Sequence, residues 1–115
     1  MTLKDVLLNA KNLIENSTNY KVVFHPQEIT RKDEILIDVS GIDIHDRFTG
    51  GYTLEVRLEV SFVRTSRLDA LEIEETIIKV LNEPTYLFVG AEHDIDGDMI
   101  ICNMSFIGRE VVYYG

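Results

Sequence analysis

The stretch EHDIDGDMIIC, residues 92–102, holds the densest group of side chains that could do chemistry. Carboxylates alternating around a glycine are typical of a calcium loop, which needs glycine at its sixth position and a bidentate glutamate at its twelfth. With Gly97 at the sixth position, Asn103 stands where the glutamate should be, and strand-like segments replace the usual helices. Asp-Gly between two apolar runs is instead a strong hairpin signal. We therefore predict a turn with an acidic tip, and no metal, at Asp94, Asp96 and Asp98.

Other reactive groups in the chain are scattered. His25, His45 and His93 do not share the H-x-x-x-H or E-x-x-H spacing of metal and catalytic sites. His45 and His93 fall in predicted loops, where we expect them to be solvated. Cys102 has no second cysteine with which to hold zinc and is expected to be a buried small hydrophobe. The sequence predicts no catalytic group, no cofactor and no metal, so we do not expect an enzyme.

The formal net charge of −9, from 11 basic and 20 acidic residues, argues against a protein that grips nucleic-acid backbones. An acidic surface favours solubility, and in the wall of a passage it would keep DNA from adhering. No apolar run approaches the roughly 18 residues that span a bilayer. The start, MTLKDVLLNAKNLIENS, lacks the continuous apolar segment of a signal peptide. We expect no membrane segment and a location in the cytoplasm.

Two amphipathic helices are predicted. The first begins after Thr2 and ends near Asn19, with apolar residues at helical spacing between them. The second covers 66–84, with Ser66 and Asp69 as a capping box. Its predicted apolar stripe consists of Leu71, Ile77, Ile78 and Leu81. The glutamates in its N-terminal half, Glu72, Glu74 and Glu75, are explained by the helix dipole.

Six segments have strand-like patterns: 20–26, 32–41, 51–63, 85–90, 98–108 and 110–115. Residues 41–51, with glycines at Gly41, Gly50 and Gly51, are predicted to be a mobile loop with turns or bulges. The clearest strand is 51–63, which alternates an apolar face with a wet face expected to be solvated or to contact another subunit. The predicted fold is α+β, one domain over 1–115, with a mostly antiparallel sheet of about five or six strands and two helices packed on it.

The segment YTLEVRLEVSFVRTSRLDALEIEETIIKVLN, residues 52–82, resembles the tail terminator, or tail completion, proteins of long-tailed bacteriophages. In that family a long alternating strand is followed, after a few polar residues, by a helix that contains a small residue and ends in leucine. The order of elements is similar over nearly the whole chain. The resemblance implies a ring, typically a hexamer, that caps the finished tail tube, stops polymerisation and presents a surface to the head connector.

As partners, the resemblance implies further copies of the chain, the tail tube protein and the head connector proteins, with DNA passing through but not gripped. The protein would be in the host cytoplasm during assembly and then in the virion tail. Candidate interface or channel residues are Asp43, Asp46, Glu55, Arg57, Glu59, Asp94, Asp96 and Asp98. The alternatives are another head-tail joining or tail tube protein, a small acidic intracellular binding or immunity module, and an enzyme with an unrecognised site.

Overall fold

The computed structural model of the chain describes residues 3–24, 34–82 and 86–114. Thr2, Pro26 and Pro84, at which element ends were predicted, lie outside these ranges, and so does His25. The elements in chain order are α1 (Leu3–Thr18), β1 (Lys21–Phe24), β2 (Glu34–Phe48), β3 (Gly51–Arg64), α2 (Arg67–Asn82), β4 (Tyr86–Asp96) and β5 (Met99–Tyr113).

The strands form a five-stranded sheet in the order β1-β2-β3-β5-β4. β1 runs parallel to β2, and the other neighbouring pairs are antiparallel. The two helices pack against each other and against one face of the sheet. The predicted α+β fold, with a mostly antiparallel sheet and two helices, is confirmed.

The core lies between the helices and one face of β3 and β5. On β3 the buried residues Leu58, Val60 and Phe62 alternate with Arg57, Glu59 and Ser61, which face away from the helices. The period of two predicted from the sequence is therefore the one observed. Burying each large apolar side chain here stabilises the fold by about 1.5–3 kcal/mol. The other fully buried core residues include Ala10, Ile14, Ile77, Leu81, Met104 and Phe106.

The helix ends follow the predicted signals. α1 stops where Asn19 adopts a positive φ of 61°, a conformation common just after a helix. At the start of α2, the Asp69 N–H donates to Ser66 Oγ at 3.5 Å, and the Ala70 N–H donates to the Ser66 carbonyl at 3.0 Å. The predicted place of Leu71 in the apolar stripe is wrong, because this residue is 46% exposed. The buried stripe is Ala70, Ile73, Ile77 and Leu81, and a stripe at these positions turns residue 71 outward.

Three of the predicted strand boundaries are wrong. The strand predicted at 85–90 continues as β4 to Asp96. β2 continues to Phe48, so most of the predicted loop 41–51 is strand, and its pairing with β3 shifts register between Val39 and Gly41. This bulge accommodates the glycine without ending the strand. β5 runs without interruption to Tyr113, so the separate strand predicted at 110–115 is its continuation. Pairing with β3 holds the β2 and β5 segments in extended conformation.

One end of the sheet projects beyond the core. We call residues 42–55 and 109–113 the sheet extension; they form a three-stranded piece of β2, β3 and β5. Its apolar side chains stay accessible, with Ile42 46% and Ile44 45% exposed. The projection contributes to the elongated shape of 53 × 26 × 23 Å. Neither described helix is long and apolar enough to cross a membrane.

Candidate functional site

The sheet face opposite the helices, here called the acidic face, gathers most of the sheet's carboxylates. Pairing partners in an antiparallel sheet point to the same side, so the register assigns each residue to a face. Among the described residues, the basic side chains on this face are Arg57, Arg109 and, at the β1 edge, Lys21, whose strand partner is Glu34. Its carboxylates are Asp38, Asp43, Asp46, Glu55, Glu59, Glu92, Asp94 and Asp96.

Ion pairs link the middle of the acidic face. Arg57 Nη2 lies 3.0 Å from Asp43 Oδ2, and Glu55 Oε2 lies 3.7 Å from Arg109 Nη2 and 3.4 Å from His45 Nδ1. The side chains of Arg57 and Asp43 are more than half exposed. Exposed pairs of this kind contribute at most about 1 kcal/mol each. The Arg57–Asp43 pair therefore adds little to the stability of the fold.

The predicted interface or channel residues fall into two groups. Asp43, Asp46, Glu55, Arg57 and Glu59 share the acidic face around the sheet extension. Asp94 and Asp96 lie on the same face at the opposite end of the sheet, because β5 aligns Asp94 with Val63 through Ile101. Eight residues of strand separate Val63 from Glu55, a distance of roughly 27 Å. The structure does not bring the two groups together.

The acidic hairpin tip is confirmed as a turn. Asp96 pairs with Met99, so Gly97 and Asp98 form a two-residue connection. Gly97 has a φ of 63°, and no described non-glycine residue of this hairpin has a positive φ. This is the pattern of a type II′ hairpin turn, which favours glycine at its first central position.

A second group of reactive side chains, which sequence reasoning missed, lies under α2. His93 and Cys102 are directly opposite each other on β4 and β5, on the face that packs against the helices. Glu74 reaches them from α2, and potential ligand atoms of the three side chains all lie within 4.8 Å of one another. Cys102 is fully buried, and the side chains of Glu74 and His93 are 10% and 18% exposed.

Hydrogen bonds set the orientation of the His93 ring and favour one of its tautomers. Arg67 Nη1 donates to His93 Nδ1 at 3.2 Å, because a guanidinium has no acceptor. His93 Nε2 therefore carries the ring proton and donates it to Glu74 Oε1. The predictions of His93 and His45 as loop residues are wrong, since they lie within β4 and β2. The predicted burial of Cys102 is confirmed.

The Cys102 thiol is not activated for attack. The pKa of the thiol is raised to about 11, first by burial and then by the charge of Glu74 and a hydrogen bond to it. The positive charges of Arg64 and Arg67 lower this pKa, but by less. Both nitrogens of His93 are already engaged, so the ring cannot take the thiol proton. Nucleophilic cysteines need the reverse, a lowered pKa or an adjacent free base.

Two signals in the sequence could have identified this cluster. Once the turn is placed at Gly97 and Asp98, hairpin register alone puts His93 opposite Cys102. Glu74 lies within the buried helical stripe formed by residues 70, 73, 77 and 81, which marks an inward-facing carboxylate. Because the helix dipole was taken to explain all three glutamates of α2, the buried position of Glu74 was not distinguished from the exposed positions of the other two.

Comparison with known proteins leaves the family open. No protein-family description and no curated protein matches the sequence. Among solved structures, a chain in the virion of a native gene transfer agent (GTA) particle is similar, with 13% sequence identity and a TM-score of 0.48. The match covers 90% of this chain and 84% of that chain.

Proposed function

We propose that this chain is a structural protein of a phage-like virion, and specifically a tail terminator that forms a ring on the tail tube and joins it to the head connector. The observation that carries the proposal is the sheet extension, whose apolar side chains lie outside the core. The resemblance of residues 52–82 to tail terminators supplies the particular role. The protein would assemble in the host cytoplasm and remain in the virion tail.

The sheet extension supports an assembly role because its helix-side surface continues the apolar face of the core. Ile42 and Ile44 are about half exposed there, and Leu54 and Tyr52 beside them are only partly covered. An apolar strip that leaves a core and remains accessible is a common mark of a protein contact. A neighbouring copy that binds this strip would cover the part of the sheet face that the two helices leave exposed.

Open strand edges support a head-to-tail contact of the kind that closes rings. β1 pairs only with the first part of β2, at residues 34–37, so β2 has no described neighbour on that side beyond this point. On the opposite side of the sheet, no described strand pairs with the outer edge of β4. Ring assembly requires two different surfaces on each subunit, and these edges are different surfaces on opposite sides.

The acidic face suits a surface past which DNA moves. Its carboxylates outnumber its basic residues, so it repels phosphates instead of neutralising them. We propose that this face borders the central passage of the ring. We also propose that the protein is not an enzyme, because its one thiol is fully buried and has no free base beside it.

The test mixes the purified protein with assembled tail tubes and locates it by labelled electron microscopy. The interface variant is Ile44→Asp, and the matched control is Leu68→Asp, which adds the same charge at a 79% exposed apolar residue of α2. Covering the remainder of Ile44 is worth about 1 kcal/mol, and burying an unpaired carboxylate costs several kcal/mol more. Ile44→Asp should therefore weaken assembly more than a hundredfold.

We expect wild type and Leu68→Asp to bind only at the head-proximal end of the tube, and Ile44→Asp to stay folded but unbound. Decoration along the whole tube would favour a tail tube protein instead. If Ile44→Asp binds as wild type does, the sheet extension is not the contact. Sedimentation at micromolar concentration complements this test, although a monomer before contact with the tube is compatible with a terminator.

The acidic face also favours a second candidate, a small module that masks a basic partner. In that case the protein would remain monomeric, ignore tail tubes and bind a basic protein in a salt-sensitive manner. Asp43→Asn with Glu59→Asn would weaken that binding, while Ile44→Asp would not. The two variants therefore separate the candidates.

A further inference from the structure

We propose that Glu74, His93 and Cys102 form a binding site for a transition-metal dication, with Zn²⁺ as the ion that fits best. The site does not depend on ring formation, because α2, β4 and β5 of one chain supply all three side chains. It departs from the sequence-based expectation of no metal, which considered the histidines and the cysteine one at a time.

The donor set selects the class of ion. A thiolate sulfur, an imidazole nitrogen and a carboxylate oxygen together suit Zn²⁺ and Co²⁺, whereas Ca²⁺ and Mg²⁺ take oxygen ligands. Metal–ligand bonds of about 2.0–2.3 Å place tetrahedral ligand atoms roughly 3.3–3.8 Å apart. In this protein the ligand atoms already lie within 4.8 Å of one another. Shifts of roughly 1 Å, within the reach of side-chain rotation, would complete the geometry.

Charge balance favours the ion in this buried position. The metal would displace the Cys102 proton to solvent, leaving one thiolate and the Glu74 carboxylate against two positive charges. The first shell then has no net charge, which reduces the cost of burying it. Three protein ligands leave the fourth tetrahedral position to water, and His93, at 18%, has the most exposed side chain of the three.

Arg67 is expected to weaken metal binding through its hydrogen bond to His93. If His93 coordinates through Nε2, the nitrogen that now meets Glu74, its ring proton must move to Nδ1. Nδ1 would then be a donor facing the Arg67 guanidinium, which is also a donor, at 3.2 Å. Arg67 is exposed and can turn toward solvent. Arg67 therefore stabilises the His93 tautomer with its proton on Nε2, which cannot bind the metal through that nitrogen.

The test titrates metal-free protein with Co²⁺, whose bonds to sulfur give a charge-transfer band in the near ultraviolet. The ligand variants are Cys102→Ser, His93→Gln and Glu74→Gln. The matched control is His45→Gln, which removes a histidine that also faces a carboxylate, Glu55, at 3.4 Å but has no thiol beside it. Circular dichroism confirms that each variant is folded.

We expect one Co²⁺ per chain, displaced by Zn²⁺, in wild type and in His45→Gln. Cys102→Ser should lose the charge-transfer band, and His93→Gln and Glu74→Gln should bind at least tenfold more weakly. Absence of the band at millimolar Co²⁺, or its persistence in Cys102→Ser, would overturn the proposal. If Cys102→Ser does not fold, unchanged affinity in both His93→Gln and Glu74→Gln has the same consequence.

A further variant examines the role of Arg67. Arg67→Ala should tighten Co²⁺ binding several-fold, because it removes a nearby positive charge and the opposing donor. Arg109→Ala, which removes the same charge from the acidic face, should leave the affinity within about twofold, since screening weakens effects beyond roughly 8 Å. Equal or weaker binding in Arg67→Ala would refute coordination through Nε2.

Discussion

Gly108→Ala is expected to destabilise the protein because the position has no room for a methyl group. Gly108 lies on β5 opposite Tyr86 of β4. A Cβ placed there would lie 2.6 Å from Tyr86 Cε1 and 2.7 Å from Cδ1. Tyr86 is only 3% exposed, so its ring cannot move aside without disturbing the core.

The cost follows from the two ways in which the clash can be relieved. If the ring stays buried, the surroundings must shift at a cost of about 1–3 kcal/mol. If the ring swings out, most of the about 1.5–3 kcal/mol from burying it is lost. Replacing glycine restricts the unfolded chain and returns about 0.4–1 kcal/mol. The net expectation is a loss of about 1–2 kcal/mol, or roughly 4–8 °C in Tm.

Urea unfolding at neutral pH measures this loss. Gly90→Ala is the matched control, because Gly90 lies on β4 and a Cβ there meets nothing within 4 Å. It should be neutral or slightly stabilising. In a Tyr86→Leu background, the cost of Gly108→Ala should fall toward that of the control. Equal stability of Gly108→Ala and Gly90→Ala would refute the close approach of the ring to the β5 backbone.

Three further outcomes are expected. Burial and, secondarily, the charge of Glu110 raise the pKa of Tyr86 to about 12. The stability that the neutral phenol contributes is therefore present below pH 10 and is lost as pH rises toward 12. Tyr86→Phe should make the free energy of unfolding fall less steeply over this range, as measured by unfolding at alkaline pH. Millimolar calcium should change Tm by less than about a degree, because the hairpin tip is a turn; a rise of many degrees would contradict that assignment. Lysines in place of Asp43, Glu55 and Glu59 should leave tail length normal but increase DNA retention in assembled tails; abnormally long tails would assign these residues to the tube contact.

The sequence predicted the features that arise from local periodicity. Alternation in 51–63 indicated β3 and its two faces, and Asp96-Gly97 indicated the β4–β5 turn. Glycine content misled the prediction for 41–51, because a glycine within a strand can mark a bulge as well as a loop. Pairing with β3 decides between them, and such pairing is a long-range property.

The same distinction between local periodicity and long-range pairing applies to the candidate sites. The acidic face could be predicted for β3, where Glu55, Arg57 and Glu59 alternate with core residues. The position of Asp94 relative to these residues depends on how β4 pairs with β5, and β5 with β3. Contact between Glu74 and the hairpin depends further on how α2 crosses the sheet, which no local pattern specifies.

The two faces of the sheet make the proposed roles separable by experiment. Because side chains alternate along β3, a substitution at Glu59 changes the acidic face, whereas one at Leu58 or Val60 changes the core. Charge at Asp43 and Arg57 can therefore be altered at little cost in stability, since their ion pair is exposed and weak. Loss of function in such variants would reflect the surface itself and not unfolding. The metal cluster lies on the opposite, helix-packed side, so its occupancy can be followed while the acidic face is changed.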